Sequence, residues 1–376
     1  VKRAALLCAA LIALGGLLAV FTLRAARKMP DFEVYWRAGE RAALGEPLYR
    51  PDDGHYQLKY LPAFALLAVP LAWMPLPVAK AFWFVVSVGA LVALVAMSIT
   101  LLPDRRKRVW VLATCVVLAM AKFYGHELVL GQVNLLFGVT VIAAVHLLRE
   151  RREGAAGVLI ALAVIVKPYA VLFLPWLAAI RARRALVSAL AALAAALVVP
   201  VAIYGISGTQ TLHEDWWRTV SSSTAPNLLN ADNVSLAAMY AKWLGPGPPA
   251  GLSTVVTSVF LLAAAGELVR RRLNVRDPPG LEAALLLTLM PLLSPQGWDY
   301  VFLLATPAVA FLVNYEDRLP AGLRAAAAFA VAIAAFSLFD IMGRRAYSAF
   351  MALSIVTLCF LVVIGALFAL RARRVA

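Results

Sequence analysis

Residues 29–52, MPDFEVYWRAGERAALGEPLYRPD, crowd carboxylates and aromatic rings into one short interruption between apolar runs. Asp31 and Glu33 stand two residues apart where a first apolar run emerges, so they meet both water and any headgroup carried by a lipid. Such a carboxylate can act on a polar group or cap the helix that begins beside it. Phe32, Tyr35 and Trp36, at i, i+3 and i+4, place their rings on one side of an interfacial amphipathic helix. Gly45 and Pro47 end that helix, and Asp31 sits at its N-terminus. Other residues of the same kind lie far along the chain. Lys167-Pro168 interrupts an apolar run, and a lysine at membrane depth is costly enough that it either meets an anion or snorkels to the interface. Gln132 and Asn134 stand at a helix start, where an amide binds a ligand or caps the helix. His126-Glu127 precedes them, and a lone His-Glu pair is more often structural than metal-ligating. In SPQGWDYVF, Pro295 and Gly297 break a helix while Trp298, Asp299 and Tyr300 offer a stacking face and two polar groups.

The elements that must position these residues are apolar helices. Of 376 residues, 63% are hydrophobic and 15% charged, whereas about 25% charged is ordinary for a soluble domain. Apolar runs fall near residues 4–22, 58–75, 78–101, 109–123, 133–148, 155–180, 186–205, 250–269, 281–293, 299–313, 321–339 and 347–370. Most are about the length needed to cross ~30 Å of hydrocarbon as helix. The expectation is an all-α polytopic transmembrane bundle with about 11–13 membrane segments, forming one domain over residues 1–376. Pro168 inside run 155–180 predicts two short helices meeting at Lys167. For 58–101, either both runs cross, which leaves Arg105–Arg108 outside, or 58–75 only dips into the membrane. The first run has a basic start but no convincing cleavage site, and is read as an uncleaved anchor.

The net charge of +15 does not point to a nucleic acid, because the basic residues form short clusters beside apolar runs rather than one basic face. The clusters at Lys2-Arg3, 149–152, 181–184, 270–276 and 371–374 are cytoplasmic by the positive-inside rule. A first outer loop, 23–57, and a large outer loop, 206–249, then lie on the other side with the acids, amides and tryptophans. The large loop holds HEDWWRT and NADNVSL, which suit carbohydrate binding or a helix lying on the membrane. Cys8, Cys115 and Cys359 all fall within apolar runs, so packing is their expected role.

Several of these motifs, taken in order, resemble glycosyltransferase family 87 of the GT-C fold, membrane enzymes that use polyprenyl-phosphate sugars. They are Asp31-Phe32-Glu33-Val34-Tyr35, Gly45-Glu46-Pro47-Leu48-Tyr49, Lys59-Tyr60-Leu61-Pro62, Gly131-Gln132-Val133-Asn134, Lys167-Pro168 and Ser294-Pro295 with Trp298. The resemblance implies an acidic motif in the first outer loop whose Asp takes the acceptor's proton, and Asp31 matches it. Catalysis is assigned to Asp31, with Glu33 orienting it or the acceptor. Phosphate already leaves well, so one base can suffice. Charge growing on the leaving phosphate favours a nearby cation, for which Lys167 is the best candidate. Tyr35, His126, Gln132, Asn134, Trp298, Asp299 and Tyr300 are the remaining candidate substrate-binding residues. The family often has histidines just after this tryptophan; Asp299 and Tyr300 stand there instead, which bears on donor contacts and the sugar.

The function implied is transfer of a hexose, most simply mannose, from a polyprenyl phosphate to a lipid or glycan acceptor. It would occur on the outer face of a bacterial plasma membrane, among membrane lipids and with no nucleic-acid partner. No cofactor and no metal ligands are assigned. A transporter or flippase would spread its ionisable residues through a central pathway, whereas here they gather at one surface. A ligase or polymerase of lipid-linked glycans would differ in donor chemistry.

Overall fold

A computed structural model describes Gly16 and residues 27–375. Lys2-Arg3, Cys8 and, apart from Gly16, the first apolar run lie outside the described residues. Within them the chain is all-α, with short 3-10 turns and one isolated β-bridge between Asn233 and Trp298. The helices are α1 Pro30–Ala43, α2 Pro62–Ala72, α3 Leu76–Thr100, α4 Val109–Leu130, α5 Asn134–Arg149, α6 Glu153–Val166, α7 Phe173–Ala179 and α8 Arg183–Val198. They continue as α9 Val201–Asn227, α10 Leu236–Leu244, α11 Pro248–Arg270, α12 Pro278–Leu293, α13 Thr306–Asn314, α14 Ala321–Phe336, α15 Phe339–Ala352 and α16 Ile355–Ala372.

Four of these segments are long and apolar enough to cross a membrane, or six if the bent pairs α8–α9 and α14–α15 are each one span. Six shorter apolar helices of 10–17 residues accompany them. The shortening has local causes. Pro62 opens α2 and Trp73 closes it, so run 58–75 yields only 11 helical residues. At 1.5 Å per residue that is about half the hydrocarbon thickness. This favours the reading in which 58–75 dips and α3 alone crosses. Run 155–180 divides as expected: α6 ends at Val166, Lys167 is extended (φ −140°, ψ 103°), and Pro168 opens a 3-10 turn.

The core is built around α12, buried from Gly280 to Leu292, with the stacked rings of Phe302 and Phe360 beside it (centroids 3.7 Å apart). The basic clusters within the described residues meet at one end. Arg149 donates to the Leu101 carbonyl (2.7 Å) and pairs with Asp277 (2.7 Å). Arg106 pairs with Asp317 and Lys107 with Glu316. Glu282, fully buried, holds Arg371 at 2.9 Å and Arg272 at 3.4 Å. A buried carboxylate needs such partners, because leaving one unpaired costs about 3–5 kcal/mol.

At the other end, α1 is laid across α2. A Cβ on Gly39 would stand 2.5 Å from the Ala68 carbonyl oxygen, so only glycine permits this backbone contact. The C-terminus of α4 docks where α1 begins: Met29 N–H donates to the Val129 carbonyl (3.0 Å), and Trp83 Nε1–H to that of Gly131 (2.8 Å). Gly131 has φ +71°, and a Cβ there would meet Phe32 Cβ at 2.8 Å.

Candidate active site

The amphipathic helix expected from residue 31 to Gly45 is α1, but it begins one residue before the carboxylate. Met29 is its N-cap, in the left-handed region (φ 51°, ψ 48°), and Pro30 opens the first turn. Pro at that position has a preset φ and no N–H to satisfy. Asp31 is therefore inside the first turn and does not cap the helix, the alternative the sequence left open. The residue as a whole is partly exposed.

Gln132 lies against the Asp31 carboxylate, with the charges of Lys167, His55 and Lys59 close by. Burial raises the Asp31 pKa above the ordinary value, and these neighbours only partly offset it. The same burial pushes the Lys59 ammonium down, opposed by Asp31. A carboxylate made more basic but still reachable is what proton abstraction from a hydroxyl requires.

A hydrogen-bonded sheet of phenols backs this pair. Tyr35 Oη lies 2.7 Å from Tyr60 Oη and donates to Gln132 Oε1 at 2.9 Å, and Gln132 Nε2 donates to Tyr300 Oη at 3.2 Å. Lys167 Nζ donates to Tyr60 Oη at 3.0 Å and lies 4.7 Å from the centroid of its ring. The break at Lys167-Pro168 thus delivers an ammonium to the neighbourhood of Asp31. Tyr60 itself stacks on Phe64 (4.3 Å), which fixes its hydroxyl.

Glu33 points elsewhere. Two residues on from Asp31 is about 200° around a helix, and its carboxylate is held by Lys80 at 2.6 Å, with Arg37 at 3.7 Å. Asn134 is fully buried: its Nδ2 donates to Glu127 Oε2 at 2.8 Å, while Glu127 Oε1 caps α5 by accepting from the Asn134 and Leu135 N–H groups. Asp299, 1% exposed, lies 3.1 Å from Lys122 and 3.2 Å from His126 Nδ1. His126 packs edge-on against Tyr300 (5.1 Å), so the Asp299 cluster adjoins the Tyr300 end of the phenol sheet. Trp298 is engaged with Asn233 through the β-bridge. The Asn233 amide is itself buried, donating to the carbonyls of Asn227 and Pro295. Among the described residues no group of three or more His, Cys, Asp or Glu is arranged to hold a metal ion.

The structure therefore brings Asp31, Tyr35, Gln132, Lys167 and Tyr300 together, with His126 and Asp299 adjoining. It places Glu33, Asn134 and Trp298 in other contacts. Lys59, Tyr60 and His55 were missing from the sequence-based set. Lys59 and Tyr60 carried a signal, since their motif is one of those shared with the family, but nothing in their spacing tied them to Asp31.

The family model for glycosyltransferase family 87 matches residues 58–295, more than half of the chain. The protein belongs to glycosyltransferase family 87. A curated relative is the polyprenol-phosphate-mannose-dependent alpha-(1-2)-phosphatidylinositol mannoside mannosyltransferase of Mycobacterium tuberculosis (strain ATCC 25618 / H37Rv). It is 26% identical over 307 residues, covering 74% of this chain and 69% of the relative. This family 87 protein is accordingly a multi-pass membrane glycosyltransferase. The matched region includes Tyr60, Gln132 and Lys167, while Asp31 lies N-terminal to it.

Proposed function

We propose that this protein transfers a hexose, most simply mannose, from a polyprenyl phosphate to a lipid or glycan acceptor, acting as a single GT-C-type domain on the outer face of a bacterial plasma membrane. The observation that carries the reading is the Asp31 carboxylate, on a partly exposed residue and raised in pKa by burial, beside Gln132 and within the field of Lys167. Asp31 takes the proton from the acceptor hydroxyl as its oxygen attacks the anomeric carbon. The bond from that carbon to the phosphate oxygen breaks on the opposite side, and the polyprenyl phosphate departs with the bonding pair, so configuration inverts. Lys167 stabilises the charge that grows on the leaving phosphate, which helps the transition state more than the ground state. Tyr35, Tyr60 and Tyr300 hold Gln132, and through it the orientation of Asp31. The mannosyltransferase relative supports the donor class.

The test is incubation of the purified protein with a panel of radiolabelled polyprenyl-phosphate sugars and a membrane lipid extract. Label should pass to a lipid-soluble product from polyprenyl-phosphate mannose. Transfer from nucleotide sugars alone, or from no donor, would overturn the reading.

A further inference from the structure

The flank of α1 beside Asp31 lines a cavity of about 560 Å3 that the chemistry above does not use. Its walls divide by polarity. Val34, Leu58, Val129 and Leu130 are apolar, while Arg27, Lys28, Arg37 and Arg41 bring four cations to the same space. Only two carboxylates line it, Glu33 and Asp53. Asp53 is fully engaged by Arg41 through two contacts of 2.5 and 2.8 Å. Glu33 is held by Lys80 at 2.6 Å and leaves Arg37 at 3.7 Å. Arg27 and Lys28 have no carboxylate partner among the described residues. On the outer side of a membrane such a cluster also runs against the positive-inside rule, so topology does not account for it. An amphiphilic cavity with unneutralised cations suits a lipid anion, whose phosphate meets the guanidinium groups while its chains follow the apolar wall.

We propose that this cavity holds the phosphodiester headgroup of an anionic phospholipid acceptor, with Arg37, Arg27 and Lys28 on the phosphate. The assignment rests on the glycosyltransferase reading above. Its position follows from single displacement: acceptor and leaving group must approach the anomeric carbon from opposite sides. Around α1, at about 100° per residue, Tyr35, whose hydroxyl meets Tyr60 and through it Lys167, lies to one side of Asp31, and Pro30, Val34 and Arg37 of the cavity lie to the other. Asp31 stands next to the cavity and not in its wall: Pro30, Tyr56 and Leu58 line it and are the chain neighbours of Asp31, His55 and Lys59. His126 forms part of its wall. Its Nδ1 is taken up by Asp299 at 3.2 Å, which leaves Nε2 for a hydroxyl of the headgroup.

Binding without turnover tests the assignment. Short-chain phosphatidylinositol, short-chain phosphatidylcholine and a short polyprenyl phosphate are each titrated into the protein in neutral nanodiscs. R37Q and R27Q/K28Q should each weaken phosphatidylinositol about tenfold, equivalent to 1.4 kcal/mol, and leave polyprenyl phosphate within about twofold. R37K should recover much of the loss, and added salt should weaken phosphatidylinositol more than phosphatidylcholine. These side chains are exposed, so melting temperature should hold. Unchanged phosphatidylinositol affinity in both variants would overturn the proposal, as would a loss confined to polyprenyl phosphate, which would make the cavity the donor's. If no sugar passes from polyprenyl-phosphate mannose but phosphatidylinositol binding still depends on these cations, the glycosyltransfer reading fails and the cavity assignment stands.

Discussion

Asp31 and Glu33 are close in sequence, and their different surroundings decide their roles. A base must be reachable and raised in pKa, and Asp31 is both; Glu33 is committed to Lys80. Asp31→Asn should lower transfer roughly 100- to 10,000-fold, the usual worth of a positioned base, with donor affinity kept. Because the folded Asp31 carboxyl binds its proton more tightly than the unfolded chain does, ionised Asp31 costs stability at neutral pH. That cost is relieved as pH falls through the raised value. The melting temperature of Asp31→Asn at pH 7 should therefore equal or exceed that of the native protein, and a clear fall would recast Asp31 as structural. For the native enzyme, kcat/KM should fall on the acid side at a pH above the ordinary aspartate range, since only the ionised form accepts a proton. Glu33→Gln should retain Asp31-dependent transfer and lower the melting temperature modestly, because Lys80, 9% exposed, loses its carboxylate. A loss of transfer as deep as that of Asp31→Asn, with the fold intact, would return Glu33 to the chemistry.

Much of the helix-level architecture was legible, for reasons that are local. Ring spacing and Gly45 predicted α1, and Pro168 predicted the break at Lys167, because each depends on residues within a turn or two. The partners were not legible, because a period gives the face of a helix and not what arrives against it. Nothing between residues 33 and 80 announces the Glu33–Lys80 pair. Asn134 read as an amide at a helix start that binds a ligand or caps the helix, yet Glu127, seven residues earlier, caps that helix and holds the Asn134 amide. Gly131 shows the same limit: its motif was visible, but its reason is the approach of Phe32 from a distant helix. Gly131→Ala combines a positive φ with a Cβ 2.8 Å from Phe32 Cβ and 3.0 Å from Met29 Cε. It should cost about 1–3 kcal/mol, the scale of a strained backbone residue. Since the same junction sets the start of α1, transfer should fall together with the melting temperature. An alanine variant with native stability and activity would show that the α1–α4 junction does not hold Asp31 in place.

At the scale of the whole molecule, the two ends differ in kind. The arginine clusters are stitched together through Arg149–Asp277, Arg106–Asp317 and Arg371–Glu282. Arg184 N–H joins them by donating to Glu153 at 3.0 Å. The opposite end is joined by Tyr204 Oη donating to the Glu46 carbonyl (3.0 Å), Trp216 Nε1 to that of Lys59 (3.2 Å) and Tyr347 Oη to Asp232 (3.1 Å). The positive-inside rule assigns the arginine end to the cytoplasm, so the Asp31 cluster should face outward, toward lipid-borne substrates. In a background with Cys115, which is exposed, changed to serine, Glu46→Cys and Ala231→Cys should react with a membrane-impermeant maleimide on intact cells. Arg183→Cys should react only after permeabilisation. The three positions test the break at Lys167 as well. If α6 and α7 together made one crossing instead of entering and returning, Arg183 would lie on the outer side with Glu46 and would label on intact cells. Labelling of Arg183 in intact cells would thus overturn the half-helix arrangement around Lys167 and remove the support for placing that lysine beside an outward-facing base.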